Sequence, residues 1–128
     1  MLHDSRRLTI IVSQAAHHLH AVVGNVSTAL LDIGESPRML FSNSALAQVG
    51  GKTLTALACE YMAIGCDSYP CLHIHHSEDD NMVLYLTVLD TRHVFVAIGR
   101  ASDEFRIRDF IERLKHLLPG AVNQMSSN

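Results

Sequence analysis

His73 and His75 stand two residues apart in the segment Cys71–His76, CLHIHH. On a strand that spacing sends both imidazoles to one face, where they could supply two nitrogen ligands to a zinc-type ion. Cys66, Cys71, His76, Glu78, Asp79 and Asp80 lie close in sequence, but none has a spacing that fixes a third ligand. The plainer reading is an edge strand with a polar face. Gly51-Lys52-Thr53 has the shape of the end of a phosphate-binding loop. Such a loop also needs a glycine at the position of Leu46 and a parallel βαβ surround. The strands expected here are joined by hairpins, so the plainer reading is a loop entering a helix. Glu35, Asp79, Asp80 and Asp90 could do acid–base work, but all fall in expected turns, where carboxylates are commonly solvated. Ser13, Ser27 and Thr28 have no base near them in sequence. His17, His18 and His20 are expected to decorate the end of the first helix, where imidazolium favours the negative pole of the dipole. No nucleophile–base pair, full metal set or phosphate loop assembles from these residues. The chain is therefore expected to be no enzyme and to carry no cofactor or metal.

The elements that position these residues belong to one domain. A chain of 128 residues buries roughly 65–70% of its unfolded surface. The domain is expected over residues 1–122, followed by a polar tail, 123–128. Hydrophobic residues make up 48% of the chain, which places it among globular proteins. A net charge of −3 and a pI near 6.3 argue against nucleic acid, whose phosphates call for a clustered basic face. No apolar run reaches the ~20 residues that span a bilayer. With no signal-peptide core, no Gly at position 2 and no prenylation box, membrane attachment is expected to come from a partner. Cys59, Cys66 and Cys71 form an odd count without framework spacing, which fits a reducing, cytosolic compartment.

Leu8, Ile11, Val12, Ala15, Ala16 and Leu19 recur on one face of a helix. Asp4 or Ser5 is expected to cap that helix, which should end near Gly24-Asn25. Val26–Ile33 and Arg38–Ser42 read as a hairpin around the turn Gly34–Pro37. Asn43–Gly51 fits either a helix or a loop. Lys52–Ile64 is helical by composition, with Leu54, Leu57, Ala58, Tyr61 and Met62 on one face. Its other face carries the small, mostly uncharged Thr55, Ala56, Cys59 and Ala63, with Lys52 and Glu60 as its charges. A helix apolar or small all round is buried on more than one side, so this one calls for a partner chain. After the loop Gly65–Pro70, Cys71–His76 alternates, with Leu72 and Ile74 on one face and His73 and His75 on the other. Ser77–Asn81 is a polar turn. Met82–Leu89 is apolar on both faces and belongs inside a sheet, and His93–Gly99 returns antiparallel to it. The last helix, about Asp103–Leu118, is expected to be capped by Ser102. Its buried stripe is Ile107, Phe110, Ile111, Leu114, Leu117 and Leu118. Glu104/Arg108, Asp109/Arg113 and Glu112/His116 are expected ion pairs on its wet face.

This element order resembles the roadblock-domain family over nearly the whole chain. Leu8-Thr9, then Val12-Ser13-Gln14-Ala15, then Val26-Ser27-Thr28-Ala29-Leu30-Leu31-Asp32 look like the start of the roadblock subunits of Ragulator, the late-endosomal and lysosomal adaptor known in yeast as the EGO complex. The second helix, Thr53–Ile64, and the strand–strand–helix ending also sit where such subunits have them. The turn Gly34–Pro37 and the histidine-rich Leu72–His76 depart from that pattern.

The resemblance implies an α/β fold of the α+β type: a five-stranded antiparallel sheet with the middle helix on one face and the N- and C-terminal helices on the other. It implies dimerisation with a roadblock-domain partner through the middle helix and the neighbouring strand. The expected interface residues are Thr55, Ala56, Cys59, Glu60, Ala63, Leu72, His73, Ile74 and His75. Such subunits present a platform for Rag-type small GTPases in TOR nutrient signalling. They sit on the cytosolic face of late endosomes, lysosomes or vacuoles through a lipidated anchor subunit. Two alternatives stand beside this reading. One is a roadblock regulator of another small GTPase or of a motor complex. The other is a small metal-binding protein using His73 and His75, or a nucleotide-binding one using the Gly50–Thr53 loop.

Overall fold

The computed structural model describes residues 2–43, 56, 60, 70–76 and 81–118. Within them the chain forms helix α1 (Leu2–Val22) and strands β1 (Ser27–Asp32), β2 (Arg38–Ser42), β3 (Cys71–His76), β4 (Met82–Val88) and β5 (His93–Arg100). A 3-10 turn (Ala101–Asp103) then leads into helix α2 (Glu104–Leu117). The strands make one five-stranded sheet in the order β2-β1-β5-β4-β3. Every neighbouring pair is antiparallel. The fold is therefore α+β with an antiparallel sheet, as the hairpin spacing predicts. β1, β4 and β5 are the most buried strands and lie inside the sheet, each paired on both sides. A bulge between Leu30 and Leu31 marks the pairing of β1 with β2.

The period-2 alternation of the strands divides the core into two clusters. Leu30, Val83, Tyr85, Phe95 and Ala97 face both helices, where they meet Leu8, Val12 and Leu19 of α1 and Ile107, Ile111 and Leu114 of α2. The two terminal helices thus share one face of the sheet. Ala29, Leu31, Leu86, Val88, Val94 and Val96 form the second cluster on the opposite face, and all are buried. The middle helix expected over Lys52–Ile64 lies outside the described residues except for Ala56 and Glu60, which are both helical and exposed. Thr55, Cys59 and Ala63 also lie outside them, as do most of Asn43–Gly51 and the tail.

Gly99 of β5 sets how closely α2 lies on the sheet. A Cβ built there would run into Cδ1 of Ile107, which is fully buried. Phe110 leans on Phe95, with ring centroids 5.9 Å apart. Ahead of β4, Asn81 takes a left-handed φ of 58°, which asparagine tolerates better than most residues. Its carbonyl accepts the Ala101 amide at 2.8 Å, closing that end of the β4–β5 hairpin. β4 also buries two hydroxyls, Tyr85 and Thr87, with no hydrogen-bond partner among the described residues. Burial, helped by the nearby Glu104, pushes the Tyr85 phenol up to about 12, so it stays protonated.

Several boundary expectations need correction. α1 begins at Leu2, so Asp4 and Ser5 lie inside the helix and do not cap it. Ser102 sits within the 3-10 turn, and the N-cap residue of α2 is Asp103, which makes no side-chain cap bond. The overwound entry turn shifts the start of the α-helix past the serine. Leu117 was expected in the buried stripe but is 58% exposed. The stripe instead runs Ile107, Ile111, Leu114 and Leu118, because Leu118 leaves the helix and folds back while Leu117 continues round the outer face. Of the expected surface pairs, Glu104–Arg108 and Asp109–Arg113 form at 3.5 and 3.2 Å. Glu112 reaches Lys115 at 3.2 Å in place of His116.

This packing separates two roles along α2. Leu114→Ala is expected to lower stability by about 2–5 kcal/mol, since it opens a cavity against the sheet. Arg108→Ala, which removes only an exposed pair, should cost under about 1 kcal/mol. Urea melts of the two variants measure the difference, and equal losses would mean that the buried stripe is misplaced.

A Ser–His–Asp cluster and the last strand of the sheet

The β4–β5 turn brings together residues that are scattered in sequence. Asp90 opens the turn, and its Oδ1 accepts the amides of Arg92 at 2.9 Å and His93 at 2.8 Å. An aspartate that bonds backbone two and three residues on is common turn chemistry. The same carboxylate lies 2.9 Å from Nδ1 of His93 through both oxygens. That contact places a proton on Nδ1, and in the neutral ring Nε2 is then the acceptor. The Ser5 hydroxyl donates to Nε2 at 2.8 Å. Ser5, His93 and Asp90 thereby stand in the order of a nucleophile, base and orienting carboxylate. Burial raises the Asp90 carboxyl, but the bonds from the His93 ring and the Arg92 amide outweigh it and hold the group below the ordinary carboxylate range.

Beside this relay, Asp32 ends β1 with its carboxylate 3% exposed. Arg92 grips it in bidentate fashion, Nε to Oδ1 at 3.1 Å and the guanidinium nitrogen to Oδ2 at 2.6 Å. The Gly34 amide adds a bond to Oδ1 at 3.0 Å, and Arg38 lies 3.8 Å from Oδ2. The Arg92 bonds lower the Asp32 carboxyl below its ordinary range, against the opposing effect of burial and with help from Gly34. A Cβ on Gly34 would press on Asp32 Oδ1 at 3.2 Å, so glycine keeps this end of the sheet clear. Asp32 and His93 face each other in the β1–β5 register, which places the ion pair and the relay side by side.

This cluster differs from the sequence expectation. Asp90 is not simply a solvated turn carboxylate, and a nucleophile–base pair does assemble. Ser5 and His93 are 88 residues apart, which is why no local spacing revealed it. The one readable signal was Asp90 three residues before His93 at a hairpin turn. Chemically, the arrangement polarises a serine hydroxyl. Ser5 is, however, only 2% exposed, enclosed by the first turns of its own helix and the β4–β5 turn. As it stands, the relay fastens α1 to the sheet. Ser5→Ala is expected to cost about 1–3 kcal/mol by leaving His93 Nε2 buried without its donor, measured by thermal or urea unfolding.

His20 is also more than decoration. Its Nε2 lies 3.0 Å from Oγ1 of the fully buried Thr28. Desolvation, with some repulsion from His17, moves its titration down, which favours the neutral ring over the imidazolium expected at a helix end. His17 and His18 are exposed as expected.

The second candidate is the edge strand β3. Among the described residues it pairs with β4 alone, from Cys71 opposite Val88 to His76 opposite Val83. Leu72 and Ile74 pack on the helix-side core and Cys71 on the other cluster. His73 is half-buried and His75 exposed. His76 turns to the helix side and meets Glu104 at 2.9 Å. No three His, Cys, Asp or Glu side chains converge as a metal set among the described residues. Cys71 is disulfide-bonded, contrary to the reduced cysteines expected from the odd count. No helix among the described residues is long and apolar enough to cross a membrane. The chain matches no protein-family model and no curated protein.

Proposed function

We propose that this protein is a non-catalytic scaffold subunit of the roadblock type. It pairs with a second roadblock-type chain through β3 and the helix that carries Ala56 and Glu60. The joint surface receives a Rag-type small GTPase in TOR nutrient signalling, on the cytosolic face of late endosomes, lysosomes or vacuoles. A lipidated anchor subunit supplies the membrane attachment. The observation that carries this reading is the β3 edge. It stands at the end of the sheet order β2-β1-β5-β4-β3, and both terminal helices lie on one face of that sheet. This strand order, with both helices on one face, agrees with what the family resemblance implies, in which β3 and the helix beside it meet the partner chain.

Affinity purification from the native cell tests the assignment, with localisation after deletion of partners as the second measure. Loss of the lipidated anchor should release the protein to the cytosol, whereas loss of the Rag GTPases should not. Retention on membranes in the first case, or purification with neither a GTPase nor a roadblock-type partner, would overturn it. A GTPase of another class, or motor subunits, in the purified material would select the alternative roadblock reading.

The Ser5–His93–Asp90 geometry favours one competing reading, acyl-transfer chemistry at Ser5. A fluorophosphonate probe separates the two. On the scaffold reading the folded protein is not labelled, because the hydroxyl is enclosed. Stoichiometric labelling of Ser5 in the folded state would establish a reactive serine.

A further inference from the structure

The turn Gly34–Pro37, which departs from the roadblock pattern, joins β1 to β2 and is followed at once by Arg38. The last ladder pair beneath it is Asp32 with Arg38. Its β1 side is well anchored. The Ile33 amide donates to the Arg92 carbonyl at 2.7 Å, and the Gly34 amide donates to Asp32 Oδ1 at 3.0 Å. Beyond these bonds Glu35, Ser36, Pro37 and Arg38 are all exposed. Ser36-Pro37 is also the one Ser-Pro or Thr-Pro step in the chain, since the other two prolines follow Tyr69 and Leu118. Proline disfavours the helical region for the residue before it. The exposed Ser36 is thereby biased toward the extended backbone in which a kinase cleft binds its substrate.

We propose that Ser36 is a phosphorylation site for a proline-directed protein kinase, and that the Arg38 guanidinium holds the resulting phosphate. Proline has no N–H, so it suits a kinase pocket that offers no acceptor to the residue after the serine. Any other residue there would leave a donor unpaired. In the transfer, Ser36 Oγ attacks the terminal phosphorus of a nucleoside triphosphate bound with Mg2+ on the kinase. The new O–P bond forms as the bond to the β-phosphate oxygen breaks. The nucleoside diphosphate leaves, and the hydroxyl proton passes to a carboxylate base of the kinase.

Arg38 is the cation placed to receive the phosphate. It follows Ser36 by two residues, a spacing that shares one side of an extended chain. Its side chain is 51% exposed and lies 3.8 Å from Asp32 Oδ2, a long, solvated contact of little worth. Arg92 meanwhile holds Asp32 through bonds of 3.1 and 2.6 Å. Arg38 can therefore turn to a phosphate without stranding the buried carboxylate. Phosphorylation adds about −1.5 to −2 charges and three strong acceptor oxygens. Pairing with Arg38 offsets repulsion from the adjacent Glu35 and ties Ser36 to the first residue of β2. The modification thus orders the β2 side of the turn and makes this end of the sheet more acidic.

The test uses the purified full chain with a mitogen-activated protein kinase, ATP and Mg2+, read by intact mass and peptide mapping. One phosphate on Ser36 is expected, and none at this turn in Ser36→Ala. Pro37→Ala should be modified about tenfold more slowly or worse, because its new N–H goes unpaired in the kinase pocket. A kinase that reads upstream arginines should leave Ser36 unmodified. Phosphorus NMR should then show the second pKa of the phosphate, ordinarily about 6, lowered by about half a unit. That shift should vanish in phosphorylated Arg38→Gln. Melts of each unmodified variant confirm that it is folded. No phosphate on Ser36 of the folded protein, or equal rates for the parent and Pro37→Ala, would overturn the site. A phosphate with the same pKa in the parent and in Arg38→Gln would overturn the role given to the arginine.

Discussion

Arg92→Leu is expected to destabilise the protein by about 3 kcal/mol. Removing one member of a buried ion pair typically costs about 3–5 kcal/mol, because the remaining charge is left without compensation. The lower end applies here because only Asp32 is buried while Arg92 is 37% exposed, Arg38 remains 3.8 Å from Asp32 Oδ2, and Gly34 still donates to Oδ1. Replacing Asp32 and Arg92 together by leucine should recover much of the loss, since no charge then stays buried. The pH dependence follows from the lowered Asp32 carboxyl. Well above the ordinary carboxylate range, near pH 4, the group is ionised in both states and its pairing stabilises fully. As pH falls below that range the unfolded chain binds the proton first, so stability drains until the folded carboxyl is protonated too. Asp90, also lowered, contributes with the same sign. Urea melts at pH 7 and across the acid limb measure both effects. In Arg92→Leu the acid limb should flatten. A variant as stable as the parent at pH 7 would show that the bidentate grip contributes little.

Ala56→Glu is expected to dissociate the proposed dimer. Ala56 and Glu60 are helical and exposed in the single chain and lie four residues apart, on one helix face. Glutamate is the better probe than arginine, because an arginine at 56 could pair with Glu60 on its own helix. A buried carboxylate facing the partner without a cation costs about 3–5 kcal/mol, or roughly two to four powers of ten in the dissociation constant. The monomer should lose little, since exposed substitutions usually stay within about 0.5 kcal/mol. Light scattering at micromolar concentration, with a melt of the same sample, reads both quantities. A variant that stays dimeric would remove this helix face from the interface.

Periodicity along the chain determined the local elements and much of their order. The 3.6-residue recurrence of Leu8, Val12, Ala16 and Leu19 and of Ile107, Ile111 and Leu114 specified two helices and their buried sides, and the structure buries all seven. Two-residue alternation and short turns specified the antiparallel strands, and the doubly apolar β4 was readable as interior. These features are local, because a side chain's face depends on its neighbours a few positions away. The tertiary structure alone decided which distant polar groups meet. Ser5 finds His93, and Asp32 finds Arg92 across 60 residues, only once the sheet order places β1 beside β5 and α1 over the β4–β5 turn. It also decided that Leu117 faces water and Leu118 the core, and that Asp90 orients an imidazole where the sequence suggested a solvated carboxylate. It decided, too, that Cys71 is cross-linked. Hydrogen bonds and disulfides need particular atoms within a few ångströms, and that proximity is a property of the packed chain, with no counterpart in residue spacing.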